Sequence, residues 1–155
     1  LARVTREEVA RWKPGETLLL NGRLLTGRDA AHKRIQELLA SGRGLPNQVD
    51  FRNRFIYYVG PVDPVRDEVV GPAGPTTATR MDKFTDMMLE KTGLLGMIGK
   101  AERGPVAIEA IRRHRAVYLI LCPRLSGLLG WSRSSNSAWR RFTSSKCAIC
   151  RSRSP

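Results

Sequence analysis

Three hydroxyls and a guanidinium come close together in Gly71-Pro72-Ala73-Gly74-Pro75-Thr76-Thr77-Ala78-Thr79-Arg80-Met81-Asp82. Two glycines and two prolines bend this backbone and leave it little freedom to lose. A turn of this kind at the mouth of a helix can present N–H groups to an anion. The same residues also suit a plain turn with a threonine helix cap. Arg28, His32 and Lys100 offer further polar chemistry. Arg28 and His32 lie in or next to the first turn of an expected helix. Alone, they read equally well as a solvated arginine and a satisfied surface histidine. Lys100 follows the Gly-bearing apolar stretch Leu94–Gly99. It is either a lone exposed lysine or a point charge set to meet an anion.

The elements that must position these residues follow from local patterns. Thr5-Arg6-Glu7-Glu8 has the form of a capping box, and a short helix should run from it to about Trp12, stopped by Pro14-Gly15. Strand is expected at Thr17–Leu20 and Arg23–Thr26, with Asn21-Gly22 between them as a hairpin turn or a bulge. Asp29 can cap a helix to about Ala40, with Ile35, Leu38 and Leu39 at helical spacing and Gly42 just beyond. Phe55–Val59 reads as a buried strand, Pro61–Asp67 as a loop and Glu68–Val70 as a short strand. A helix is expected over about Met81–Lys91, closed by Thr92-Gly93, with Met87, Met88 and Leu89 in the core. Pro105 should open a helix to about His114, and Ala116–Ile120 is another buried strand. Strands alternating with helices predict an α/β domain with a mixed sheet.

The chain has 155 residues, enough for one domain with a real core, and ordinary apolar content. A net charge of +13 points towards nucleic acid until its distribution is read. Residues 121–155 carry 7 Lys+Arg and no Asp or Glu, leaving 20 basic and 14 acidic residues in 1–120. The body is only mildly basic, so neither nucleic acid nor a membrane is expected as partner. No apolar run is long enough to span a bilayer and no signal peptide opens the sequence. The first residue is Leu1, as in a fragment or processed product. All three cysteines, Cys122, Cys147 and Cys150, lie in the last segment, so no disulfide framework holds the body and a cytoplasmic location is expected.

The segments "LLLNGRLLTGRDAAHKRI", "IYYVGPV", "GPAGPTTATRMD", "GMIGKAERGPVAIEAIRRH" and "AVYLI" resemble the class I, iron–sulfur-dependent fumarate hydratase and tartrate dehydratase family. The match is to its β subunit or C-terminal domain, and it covers most of residues 1–120 in order. The resemblance implies a swivelling β/β/α domain and a hydro-lyase that reversibly hydrates fumarate to L-malate. L-tartrate dehydratase is the close alternative. It also implies a 4Fe-4S cluster with one iron open to substrate, ligated by an α subunit or N-terminal domain and not by this chain. The assembly would be dimeric or heterotetrameric, with the active site at the interface. Carried over by motif, Arg28 and Arg80 resemble the family's carboxylate-binding arginines, Lys100 its substrate-contacting lysine and Thr76 its proton-transfer threonine. Asp29, His32 and Thr77 would support or cap. A dianionic substrate needs fixed cationic partners, and arginine's planar fork matches a carboxylate. A threonine hydroxyl has a very high pKa and takes a proton only with cationic neighbours or as a relay.

Residues 121–155, Ser/Arg-rich and basic, depart from the family and show no helix or strand period. A frameshift is the expected origin, since a shifted reading of the codons from Asn136 to Pro155 permits "FGMEAIYEFEV", like the family's C-terminal segment. Such a shift would remove apolar strands, leave the sheet incomplete with an exposed edge, and make the chain unstable or inactive. A natural basic tail, in a degenerate non-enzymatic subunit or polyanion-binding module, is the reading of another class. It predicts steep salt dependence. Cys147-x-x-Cys150 cannot complete a structural zinc site alone, so no metal or redox role is assigned.

Overall fold

The structure, a computed structural model, describes residues 4–45, 49–60, 63, 73–121, 130–132 and 140–150. The elements are α1 (Arg6–Arg11), β1 (Thr17–Thr26), α2 (Asp29–Ala40), β2 (Phe55–Tyr57), a 3-10 turn (Ala78–Met81), α3 (Asp82–Thr92), β3 (Gly96–Gly99), α4 (Pro105–Arg113), β4 (Val117–Leu121), β5 (Gly130–Ser132) and β6 (Arg140–Cys150). The short strand expected at 68–70 lies outside the described residues, as does all but residue 63 of the loop expected at 61–67.

Local chemistry explains the helix ends. The Thr5 hydroxyl accepts from the Glu8 N–H at 3.2 Å and starts α1. Pro105 opens α4 where its missing N–H costs nothing. Gly93, at φ 68°, closes α3 in the left-handed region.

Strands β1, β2, β3 and β4 pair in that order, all parallel. Strand β6 runs antiparallel to both β4 and β1, and β5 pairs antiparallel with β6. The sheet is therefore mixed, as expected. Asn21-Gly22 does not turn the chain. β1 runs through it, and its pairing with β6 shifts register between Leu20 and Gly22, as a bulge does.

Residues 121–155 show no strand period in the sequence, yet β5 and β6 form within them. A strand needs backbone hydrogen-bonding groups as much as side-chain alternation. Arg140–Cys150 contains neither proline nor glycine, and the edges of β1 and β4 offer unpaired groups on both sides.

Side chains alternate across the parallel strands, so both faces bury apolar groups. One face gathers Phe55, Tyr57, Ile98, Val117 and Leu119 with Val9 of α1. The other gathers Ile56, Tyr58, Met97 and Tyr118 with Ile35, Phe84, Met88 and Ile111 of the helices. Each such side chain contributes about 1.5–3 kcal/mol. This second core fixes α2 and α3 beside the carboxyl ends of β1, β2 and β3.

Candidate active site

Parallel strands point the same way, so the segments that follow them collect at one end of the sheet. Arg28 follows β1, Gly60 and later Thr76 follow β2, and Lys100 follows β3. Backbone hydrogen bonds join the last two. The Thr76 N–H donates to the Tyr58 carbonyl at 2.7 Å, and the Lys100 N–H donates to the Thr76 carbonyl at 3.2 Å. The Ala78 N–H donates to the Lys100 carbonyl at 3.0 Å, completing a parallel bridge between Thr77 and Lys100. Gly99 permits this approach, since a Cβ there would lie 3.1 Å from the Ala78 Cβ.

Arg28 occupies the N-cap position of α2, and its guanidinium lies against Gly60. A Cβ at residue 60 would come within 2.8 Å of Arg28 Cζ and Nε, so a side chain there would push the guanidinium aside. Asp29 is not the cap expected of it. It is the first residue of α2, and its carboxylate meets Arg80 at 3.2 Å instead. Thr77 holds the N-cap position of the 3-10 turn but makes no side-chain capping bond. The threonine-cap reading is thereby corrected, and the Thr77 backbone instead forms the bridge with Lys100. Arg28, Thr77, Arg80 and Lys100 are exposed and Thr76 is half-buried, so these residues form an open wall.

His32 is not a surface histidine: it is 1% exposed. Its ring packs edge-on to Tyr58 and tilted on Phe84, with centroids 5.4 and 5.7 Å away. The Arg28 carbonyl can only accept, so Nδ1 carries the proton and donates to it at 2.9 Å. Nε2 is buried with no hydrogen-bond partner among the described residues. Burial pushes the imidazole pKa down, and the Arg103 charge adds to this, while the Arg28 carbonyl and Asp29 oppose it.

Sequence reasoning missed Gly60, Asp82 and Arg103. The Arg103 side chain is 2% exposed, and its Nε donates to Asp82 Oδ1 at 2.6 Å. Breaking a buried pair of this kind typically costs about 3–5 kcal/mol. Burial raises the Tyr58 hydroxyl pKa, partly offset by Arg103. Within Lys100-Ala101-Glu102-Arg103 a third charge looks like part of a solvated loop. The only signal was Gly104-Pro105, which forces a tight entry into α4.

Among the described residues, no three of His, Cys, Asp and Glu come together to hold a metal ion. Residues 1–121 contain no cysteine, so they lack the thiolates that hold an iron–sulfur cluster. Among the described residues, no helix is long and apolar enough to cross a membrane.

The family model described as fumarase C-terminus matches residues 1–122. The aerobic class I fumarate hydratase of Salmonella typhimurium is 33% identical over 113 residues, which are 73% of this chain and 19% of that enzyme. The putative class I fumarate hydratase of Geobacillus stearothermophilus is 34% identical over 122 residues, 76% of this chain and 22% of that protein. The putative L(+)-tartrate dehydratase subunit beta of Methanocaldococcus jannaschii is 32% identical over 119 residues, 76% of this chain and 60% of that subunit. The chain thus spans about a fifth of the length of the class I enzymes it matches. It belongs to the fumarase C-terminal family.

Proposed function

We propose that this chain is the swivelling, dicarboxylate-binding part of a hydro-lyase, and that its active site closes against a second domain or subunit. The observation that carries the reading is the open wall itself. Arg28, Arg80 and Lys100 stand at one end of the sheet, with Thr76 tied by its backbone to Lys100. Three cations on an open surface suit a dianion whose other side is enclosed by a partner. The partner would contribute the 4Fe-4S cluster, which would supply Lewis-acid chemistry there. The arginine forks bind the carboxylates, Lys100 adds a point charge, and Thr76 handles the proton under the stabilising field of these cations.

The substrate is fumarate, hydrated reversibly to L-malate. L-tartrate is the second reading, favoured by the larger share of the tartrate dehydratase β subunit that this chain covers. Turnover of fumarate and of L-tartrate, measured with the cluster-bearing partner present, separates them. No turnover of any dicarboxylate with an intact cluster would refute the enzymatic reading.

A further inference from the structure

The candidate active-site residues are exposed, yet the groups beneath them are tied to one buried cation. The Arg103 guanidinium reaches Asp82 through Nε, Thr85 Oγ1 through Nη2 and the Met97 sulfur through Nη1, the last at 3.7 Å. The other Asp82 oxygen accepts the Gly104 N–H at 2.7 Å, so one carboxylate grips two successive residues of the loop after β3. The guanidinium also lies between two tyrosine rings, 5.5 Å from the centroid of Tyr58 and 5.0 Å from that of Tyr118.

Three of these contacts lead to the candidate site, through Tyr58, Tyr118 and Asp82. The Tyr58 carbonyl accepts the Thr76 N–H. The Tyr118 hydroxyl donates to the Ala101 carbonyl at 2.8 Å, next to Lys100. Asp82 directly follows the 3-10 turn that carries Arg80. We infer that Arg103 is a positioning residue that fixes Thr76, Arg80 and Lys100 relative to one another. The inference rests on the function proposed above for its catalytic consequence, but its structural half stands on these contacts alone. Lysine cannot replace this arginine, because one ammonium lacks the planar fork that reaches Asp82, Thr85 and Met97 together.

Hydrogen exchange on the whole chain tests the structural half. Arg103→Lys should speed exchange of the Lys100 and Ala78 amides by about tenfold or more, and leave Ile56 and Tyr57 in β2 unchanged. In the chain assembled with its cluster-bearing partner, the same substitution should lower kcat/KM for the dicarboxylate by about tenfold or more, as small misplacements do. Added to Lys100→Ala, it should cost less than it does alone, because the part of its effect that passes through Lys100 is already lost. Unchanged exchange at Lys100 and Ala78, or additive losses in the double variant, would overturn the inference. Faster exchange with a fully active Lys100→Ala enzyme would support Arg103's hold on the loop and refute the proposed function instead. Should Arg103→Lys fail to fold, Thr85→Ala removes one acceptor from Arg103 together with the bond that the Thr85 hydroxyl donates to the Met81 carbonyl, and its effect on the same two amides decides the question.

Discussion

The Arg80 guanidinium lies 3.2 Å from the Asp29 carboxylate, joining the 3-10 turn to the first residue of α2 across the candidate site. Their side chains are 60% and 38% exposed, so the pair contributes less than about 1 kcal/mol to stability. Its consequence is orientation, since it holds the guanidinium at the end of the sheet where Arg28 also stands. Asp29→Asn should leave the denaturation midpoint nearly unchanged and raise KM for the dicarboxylate several-fold. A lower KM would show that Asp29 merely competes with the substrate.

Thr76 should be sensitive to loss of its hydroxyl. Its backbone is fixed on both sides by Tyr58 and Lys100, so Thr76→Ala keeps the turn and removes only the oxygen. If that oxygen transfers the proton, kcat falls by roughly a hundredfold or more. A change of a few-fold would leave Thr76 a turn residue.

His32 gives the fold a pH dependence of defined sign. Its folded-state pKa lies below the ordinary value, chiefly through burial. As pH falls through about 6.5, the unfolded chain takes up the proton first, so stability is full above that value and declines below it. The decline levels off once the folded state is protonated too. For one group the slope is at most about 1.4 kcal/mol per pH unit. Unfolding free energies measured by denaturant between pH 5 and 7 should show this slope, and His32→Phe should reduce it. Equal slopes in the two proteins would mean that the buried imidazole does not govern this range.

Ala101 adopts φ 64°, in the left-handed region that costs a residue with a Cβ about 1–2 kcal/mol. The Tyr118 hydroxyl holds its carbonyl there. Ala101→Gly should stabilise the chain by about 0.5–1 kcal/mol, the strain relieved less the entropy of glycine. The thermal midpoint reads this directly, and a fall would show that the alanine is not strained.

The parts of this molecule legible in its sequence are those written in short stretches. The Thr5 cap, Pro105 and Gly93 mark helix ends locally, and the parallel strands read as apolar runs. Lys100 could be singled out because it follows such a run directly, and Arg28 because it stands at the start of a helix. Arg103 could not, because its burial depends on Asp82 and Thr85, far back in the chain. His32 read as a surface residue because its cover comes from Tyr58 and Phe84. Strand β6 left no periodic signal, since its partners are backbone edges supplied by β1 and β4.

On the proposed function, the cations at the carboxyl ends of β1, β2 and β3 bind a dicarboxylate in its transition state. Arg80→Ala, compared with the unaltered chain in the presence of the cluster-bearing partner, tests it most directly. Loss of one charge-assisted contact should cost about 2 kcal/mol or more, a fall in kcat/KM of about thirtyfold. Near-normal kcat/KM in that variant would mean that Arg80 does not bind the substrate.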